Sequence, residues 1–102
     1  MSVYKIYKLV HPVTCETFYI GRTEDDLNLR LKRHLWSCKM KRTEIERYIF
    51  SLLENDIRPK IELIEITRNK KREAKIINQY LPTGLLKNTW HSNWEFKGRK
   101  AA

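Results

Sequence analysis

Cysteine, glycine and proline are all scarce in this 102-residue chain, with two, three and three copies. Cys15 and Cys38 do not make a disulfide framework, so an apolar core has to hold the fold, and a reducing compartment suits it. No internal repeat and no linker interrupts the sequence. No apolar run approaches the ~20 residues that a membrane span needs. The opening Met1-Ser2-Val3-Tyr4-Lys5 lacks the pattern of a signal peptide. The expected location is therefore cytoplasmic, or nuclear in a eukaryotic host, without secretion and without a membrane partner. Acidic residues are the scarcer charge: 12 against 21 lysines and arginines, a formal net charge of +9 and a pI near 9.8. That surplus on a small chain points to a polyanionic partner, most often nucleic acid. The bland alternative is an ordinary solvated basic surface.

What the chain does contain suffices for one domain spanning 1–102, with a core over about 3–88 and an aromatic, basic tail over 89–102. Hydrophobic residues make up 41%, and three Trp, five Tyr and three Phe supply bulky core material.

Val3 to Val10 alternates in the manner of a strand, with Val3, Lys5, Tyr7 and Leu9 on one face and Tyr4, Ile6 and Lys8 on the other. His11 to Glu16 reads as a turn broken by Pro12. Thr17 to Ile20 is a second strand, closed by Gly21, and the two together suggest an antiparallel hairpin. Thr23-Glu24-Asp25-Asp26 reads as a helix start with Thr23 as cap. Leu27, Leu31 and Leu35 give that helix a buried stripe. Arg30 and His34 share a face beside the stripe, while Lys32 and Arg33 point outward.

After the basic connection Lys39-Met40-Lys41-Arg42, Thr43 and Glu46 form a capping box for a second helix bearing Ile45, Ile49, Leu52 and Leu53. Lys60 to Ile66 is a third strand, and its apolar residues on both faces suit a central or covered position. Asn69 caps a last helix over Lys70 to Tyr80, ended by Pro82. The expected architecture is α/β (α+β): a small three-stranded antiparallel sheet flanked by helices, in the order β-β-α-α-β-α.

Phosphodiester hydrolysis needs an activated water, a counter to charge building on the phosphate, a stabilised leaving oxygen and a held substrate. The residues Lys5-Ile6-Tyr7, Tyr19-Ile20-Gly21, Arg30-Leu31-Lys32-Arg33-His34, Glu73 and Asn88 offer candidates for each. In order, spacing and element type they resemble the GIY-YIG nuclease family over nearly the whole chain, roughly Val3 to Asn88.

The resemblance implies roles position by position. Tyr7 matches the tyrosine proposed as general base or water positioner, and a base role needs its phenol shifted down from about 10. Tyr19 would orient water or phosphate, and Gly21 would permit a tight turn or close backbone approach. Arg30 would clamp the scissile phosphate with its forked donors. His34 would donate to phosphate or take part in proton transfer. Glu73 matches the metal-binding glutamate, one carboxylate being a normal share of a Mg²⁺ shell in which Mn²⁺ substitutes. Asn88 resembles the late asparagine that supports the site, with Asn78 and Asn93 as nearby alternatives. Lys5, Lys32, Arg33, Lys41 and Arg42 complete the expected substrate contacts. Each of these residues also has a plain reading: packing for the tyrosines, surface charge for Arg30, His34 and Glu73.

The match has departures. Lys5 stands where the family name has glycine. The stretch from Tyr19 to Arg30 is one residue longer than in some members. Where some members place a second catalytic histidine or tyrosine, Lys41 and Arg42 occur, and neither replaces an imidazole as a proton carrier. Glu62 and Glu65 are competing acids on the third strand, where the family has no ligand.

The resemblance implies a divalent-metal-dependent endonuclease acting on DNA, with low sequence specificity or a short site read by the domain itself, because no separate DNA-binding domain is expected. A phage, viral or mobile-element origin fits by family analogy alone. Oligomeric state stays open, a dimer being one route to a double-strand break. Two other readings stand beside it. The fold could hold nucleic acid without cutting it, with Trp90, Trp94 and Phe96 as stacking groups. His11, Cys15, His34 and Cys38 form a nominal zinc set, though without finger spacing.

Overall fold

The computed structural model describes residues 3–88. The elements run β1 (Tyr4–Val10), β2 (Thr17–Thr23), α1 (Leu27–Ser37), a 3₁₀ turn (Cys38–Met40), α2 (Glu44–Glu54), β3 (Lys60–Thr67), α3 (Arg72–Tyr80) and a second 3₁₀ turn (Leu81–Thr83). This is the expected order, and the sheet is three-stranded and antiparallel. Among the described residues no helix is long and apolar enough to cross a membrane. The aromatic tail with Trp90, Trp94 and Phe96 lies outside the described residues, as does Asn93.

The strand order is β2-β1-β3, so β1 is central. Both of its faces are covered, and Ile6, Tyr7 and Leu9 have no exposed surface. On one side Tyr7 and Leu9 pack with Phe18, Cys38, Ile45, Ile49 and Leu52, under the leucines of α1. On the other, Ile6 and Ile20 pack against Ile76 and Ile77 of α3. The helices thus sit on opposite faces of the sheet, each contributing one apolar stripe.

The third strand is not central or covered, as its apolar residues suggest, but an edge, with Leu63 46% and Ile66 57% exposed. β1 buries the most residues of the three strands, and both the hairpin partner β2 and the long-range partner β3 pair with it.

Two boundaries also move. The second strand runs on through Gly21 to Thr23, because Lys5 pairs with Thr23 and Tyr7 with Gly21. Gly21 is therefore inside the strand, and Thr23 cannot cap α1. Asp26 does so, its carboxylate accepting from the Asn28 and Leu29 backbone N–H groups. The last helix starts at Arg72 rather than Lys70, since Asn69 uses its side chain in a turn that accepts from Lys71 N.

Thr43 caps α2 as expected, accepting from Glu46 N at 3.2 Å. The Glu46 carboxylate reaches back one residue further than the usual box, to Arg42 N at 2.7 Å.

Candidate active site

The hairpin register brings the site together first. Tyr7 faces Gly21 across the ladder, and the Tyr7 ring lies directly over it. A Cβ at position 21 would overlap the Tyr7 phenol and press on the Tyr19 ring. Glycine is required here for space, not for a left-handed turn. Tyr19 stands beside Tyr7 with ring centroids 6.1 Å apart.

The first helix lays Arg30 and His34 onto these tyrosines. Arg30 Nε donates to Tyr7 Oη at 3.0 Å, and Tyr7 Oη lies 2.8 Å from His34 Nε2. The imidazole meets Tyr19 edge-on at 5.1 Å between centroids. The i, i+4 spacing thus delivers both side chains to one phenol oxygen. We assign the phenol proton to the hydrogen bond with Nε2, since Oη already accepts from Arg30 and the imidazole is neutral.

That neutrality has a physical cause. Burial lowers the His34 pKa from 6.5 to about 4, and the Arg30 charge adds to the effect, with Glu46 opposing it. Burial also holds the Tyr7 phenol well above the ordinary range; the Tyr19 phenol beside it pushes the same way, and Arg30 opposes both. Burial raises Tyr19 as well, again against Arg30. Burial alone would weaken the Arg30 charge, but the Tyr7 and Tyr19 oxygens outweigh it and hold the guanidinium above its usual value. At neutral pH the cluster therefore carries one fixed positive charge, two protonated phenols and a neutral imidazole.

Tyr7 is fully enclosed, with 0% of its surface exposed. Water reaches its oxygen only when Arg30 or His34 gives way. Arg30 is the more exposed of the two; its Nε donates to Tyr7, and its guanidinium also interacts with Tyr19.

The acid expected to hold metal arrives from the opposite side of the sheet. Glu73 lies in the first turn of α3, 3.8 Å from Arg22 Nη1, and its charge reaches Tyr19. Arg22 escaped the sequence reading. It also donates to Lys70 O at 3.3 Å and lies over the Tyr4 ring, which ties β2 to the start of α3. Its position directly after Gly21 was the available signal. Glu65 is held bidentately by Arg72, with both bonds at 2.7 Å, and Glu62 pairs with Lys8. Both competing acids thus have cations of their own.

Among the described residues no group of three or more His, Cys, Asp and Glu gathers as a metal site. Glu73 alone fits Mg²⁺ in chemistry, as one hard carboxylate oxygen donor whose remaining partners would be water and phosphate. Three of the four nominal zinc ligands are used otherwise, and Cys15 is an exposed free thiol. His34 Nε2 faces Tyr7, His11 Nδ1 accepts from the Val13 and Thr14 N–H groups, and the Cys38 thiol donates to Leu35 O.

Asn88 serves the site through the backbone. Its Nδ2 donates to Ile20 O at 2.7 Å and its Oδ1 accepts from Ile20 N at 3.1 Å. Lys87 N donates to Phe18 O beside it. The segment closes the outer edge of β2 like a fragment of a fourth strand, and it fixes the peptide between Tyr19 and Gly21.

The remaining expected contacts lie around this cluster. Lys5 Nζ donates to Asp25 O at 3.3 Å, and Arg33 pairs with Asp25 at 2.7 Å. Lys32 is exposed. Lys41 and Arg42 sit at the turn into α2, where Lys41 lies over the Phe50 ring and Arg42 pairs with Glu46. No hydrogen bond among the described residues joins these last two to the tyrosine cluster.

Comparison of the chain with protein-family models, with characterised proteins and with solved structures gave no match.

Proposed function

We propose that this protein is a divalent-metal-dependent endonuclease that hydrolyses DNA phosphodiester bonds. The observation that carries the reading is the single oxygen, Tyr7 Oη, held between Arg30 Nε at 3.0 Å and His34 Nε2 at 2.8 Å on a basic helix. A buried phenol that only packs is satisfied by one hydrogen-bond partner; here the oxygen has two, and one of them is a fixed cation.

In this reading a backbone phosphate draws the Arg30 fork outward, because a forked guanidinium matches two phosphate oxygens. The move uncovers Tyr7. The phenol oxygen takes a proton from the attacking water as its own proton passes to His34 Nε2; the water oxygen bonds to phosphorus as the bond to the leaving sugar oxygen breaks, and that oxygen takes its proton from solvent. The phenol is held up rather than shifted down as a base acting alone requires, so Tyr7 serves only through the neutral imidazole, whose lone pair takes its proton. Phosphate charge beside Arg30 cancels part of what makes His34 a weak base, so the relay strengthens when substrate binds. Tyr19 orients the phosphate. Glu73 would hold Mg²⁺, with Mn²⁺ as substitute, and the ion when bound would supply charge neutralisation at the phosphate. A net charge of +9 supports DNA as the partner.

A second reading, binding without cutting, draws on the complete enclosure of Tyr7. Conversion of supercoiled plasmid to nicked and linear forms, with Mg²⁺ and with EDTA, separates the two. Cutting that needs both Mg²⁺ and Glu73 supports the endonuclease. Salt-sensitive DNA binding without cutting under any divalent ion sinks it in favour of the binding module.

A further inference from the structure

The solvent face of α1 carries a feature that the proposed cut does not use. Trp36 is 70% exposed, the most exposed aromatic in the core region. Among the described residues no aromatic ring or cation stacks on its indole. It borders a surface cleft of about 490 Å³ lined by Arg30, Lys32, Arg33, Trp36 and Ser37. Arg30 belongs to both the cleft and the tyrosine cluster, so the two are continuous.

Tryptophan is enriched at contact surfaces, where its apolar ring is covered and its N–H stays wet. The surroundings decide which kind. The lining exposes mostly apolar stem and ring, but its charged groups are the three cations Arg30, Lys32 and Arg33, which favour an anionic partner that also has a face to stack. The Arg33–Asp25 pair is exposed on both sides, 56% and 41%, so a phosphate can compete for Arg33. The cleft is an open groove along one face of α1, so it offers the face of one ring beside its cations rather than an enclosing pocket. An aromatic face amid backbone-binding cations is the chemistry that holds single-stranded nucleic acid.

We infer that the Trp36 cleft is a base subsite, which stacks an unpaired DNA base next to the phosphate held by Arg30. The inference rests on the endonuclease reading and narrows its substrate to DNA with an unpaired nucleotide beside the cut, such as a splayed end, flap or mismatch. In a paired duplex the base is stacked on its neighbours, and an indole fixed on the protein surface cannot reach its face.

The test compares a perfect duplex with the same duplex bearing an unpaired 2-aminopurine, for the native protein, Trp36→Ala and Trp36→Phe. Binding is measured in EDTA, with nicking in Mg²⁺ run in parallel. The expected result is a native preference for the unpaired DNA and quenched 2-aminopurine emission. That preference falls about ten-fold in Trp36→Ala, is partly kept in Trp36→Phe, and the quenching is lost with the indole. Equal binding of the two DNAs, or an unchanged preference in Trp36→Ala, overturns the subsite even if both DNAs are cut. Preference and quenching that depend on Trp36, with no cutting of either DNA, support the subsite and overturn the endonuclease instead.

Discussion

The Tyr7 ring rests on Gly21 across the β1–β2 ladder, and nothing larger than glycine leaves room for it. The contact sets the height of the phenol above the sheet, and with it the reach to Arg30 and His34. Gly21→Ala should destabilise the protein by about 1–3 kcal/mol, as overpacking of a full core does. Because Tyr7 must shift, nicking should drop far more than stability. Chemical denaturation and plasmid nicking on the same preparation check this. A stable variant of native activity would show that the Tyr7 position is not critical.

Asn88 joins both polar groups of the Ile20 peptide from 68 residues away in sequence. Asn88→Ala leaves a buried donor and a buried acceptor without their partner, and a loss of about 2–4 kcal/mol is expected. Asn88→Asp should be nearly as harmful, because a carboxylate cannot donate to Ile20 O. Urea midpoints measure both, and a loss below ~0.5 kcal/mol in either would mean water replaces the clamp.

The His34 titration ties stability to pH. Its folded pKa of about 4 lies below the ordinary 6.5, under burial and the Arg30 charge, with Glu46 opposing. Between those values the unfolded chain takes up a proton that the folded protein refuses. The contribution is therefore full above pH 6.5 and is lost as pH falls toward 4, on the order of 3 kcal/mol in all. The stability gap between native protein and His34→Gln should shrink over that window, and Arg30→Gln should raise the His34 titration followed by NMR. A pH-independent gap would contradict a buried neutral imidazole.

Arg30 and Glu73 come to the site from different faces of the sheet, yet the endonuclease reading needs both. Arg30→Ala and Glu73→Ala should each lower nicking by about 10²–10³-fold or more, as removal of a charge-stabilising group does. Both residues are partly exposed, so circular dichroism and melting should stay close to native. Near-native rates from either variant would remove that residue from the mechanism.

Arg22→Ala gives a finer test of how Glu73 is held. Loss of the 3.8 Å pair and of the bond to Lys70 O frees the start of α3 from β2. Less Mg²⁺ should then be needed for half-maximal nicking, because a cation competing for the Glu73 carboxylate is gone, with little change in melting, since a partly exposed pair contributes only about 0–1 kcal/mol. An unchanged or raised Mg²⁺ requirement would show that Arg22 does not compete with the ion at Glu73.

Much of this protein is legible along the chain. The hairpin, the leucine stripe of α1, the Thr43–Glu46 cap and the order of all six main elements follow from periodicities and caps only a few residues long. The i, i+4 spacing of Arg30 and His34 likewise placed them on one helix face before any fold was known. Local sequence determines such features because neighbours along the chain create them. The tertiary structure decided the rest. It made β1 rather than β3 central, ran β2 past Gly21, closed Tyr7 off from water and set Arg22 against Glu73. Each of these depends on which distant strands pair and in what register, and a one-residue slip would turn Tyr7 to the other face. The spacing of tyrosines, arginine and histidine names the participants, but only the packed sheet and helix bring them to one oxygen.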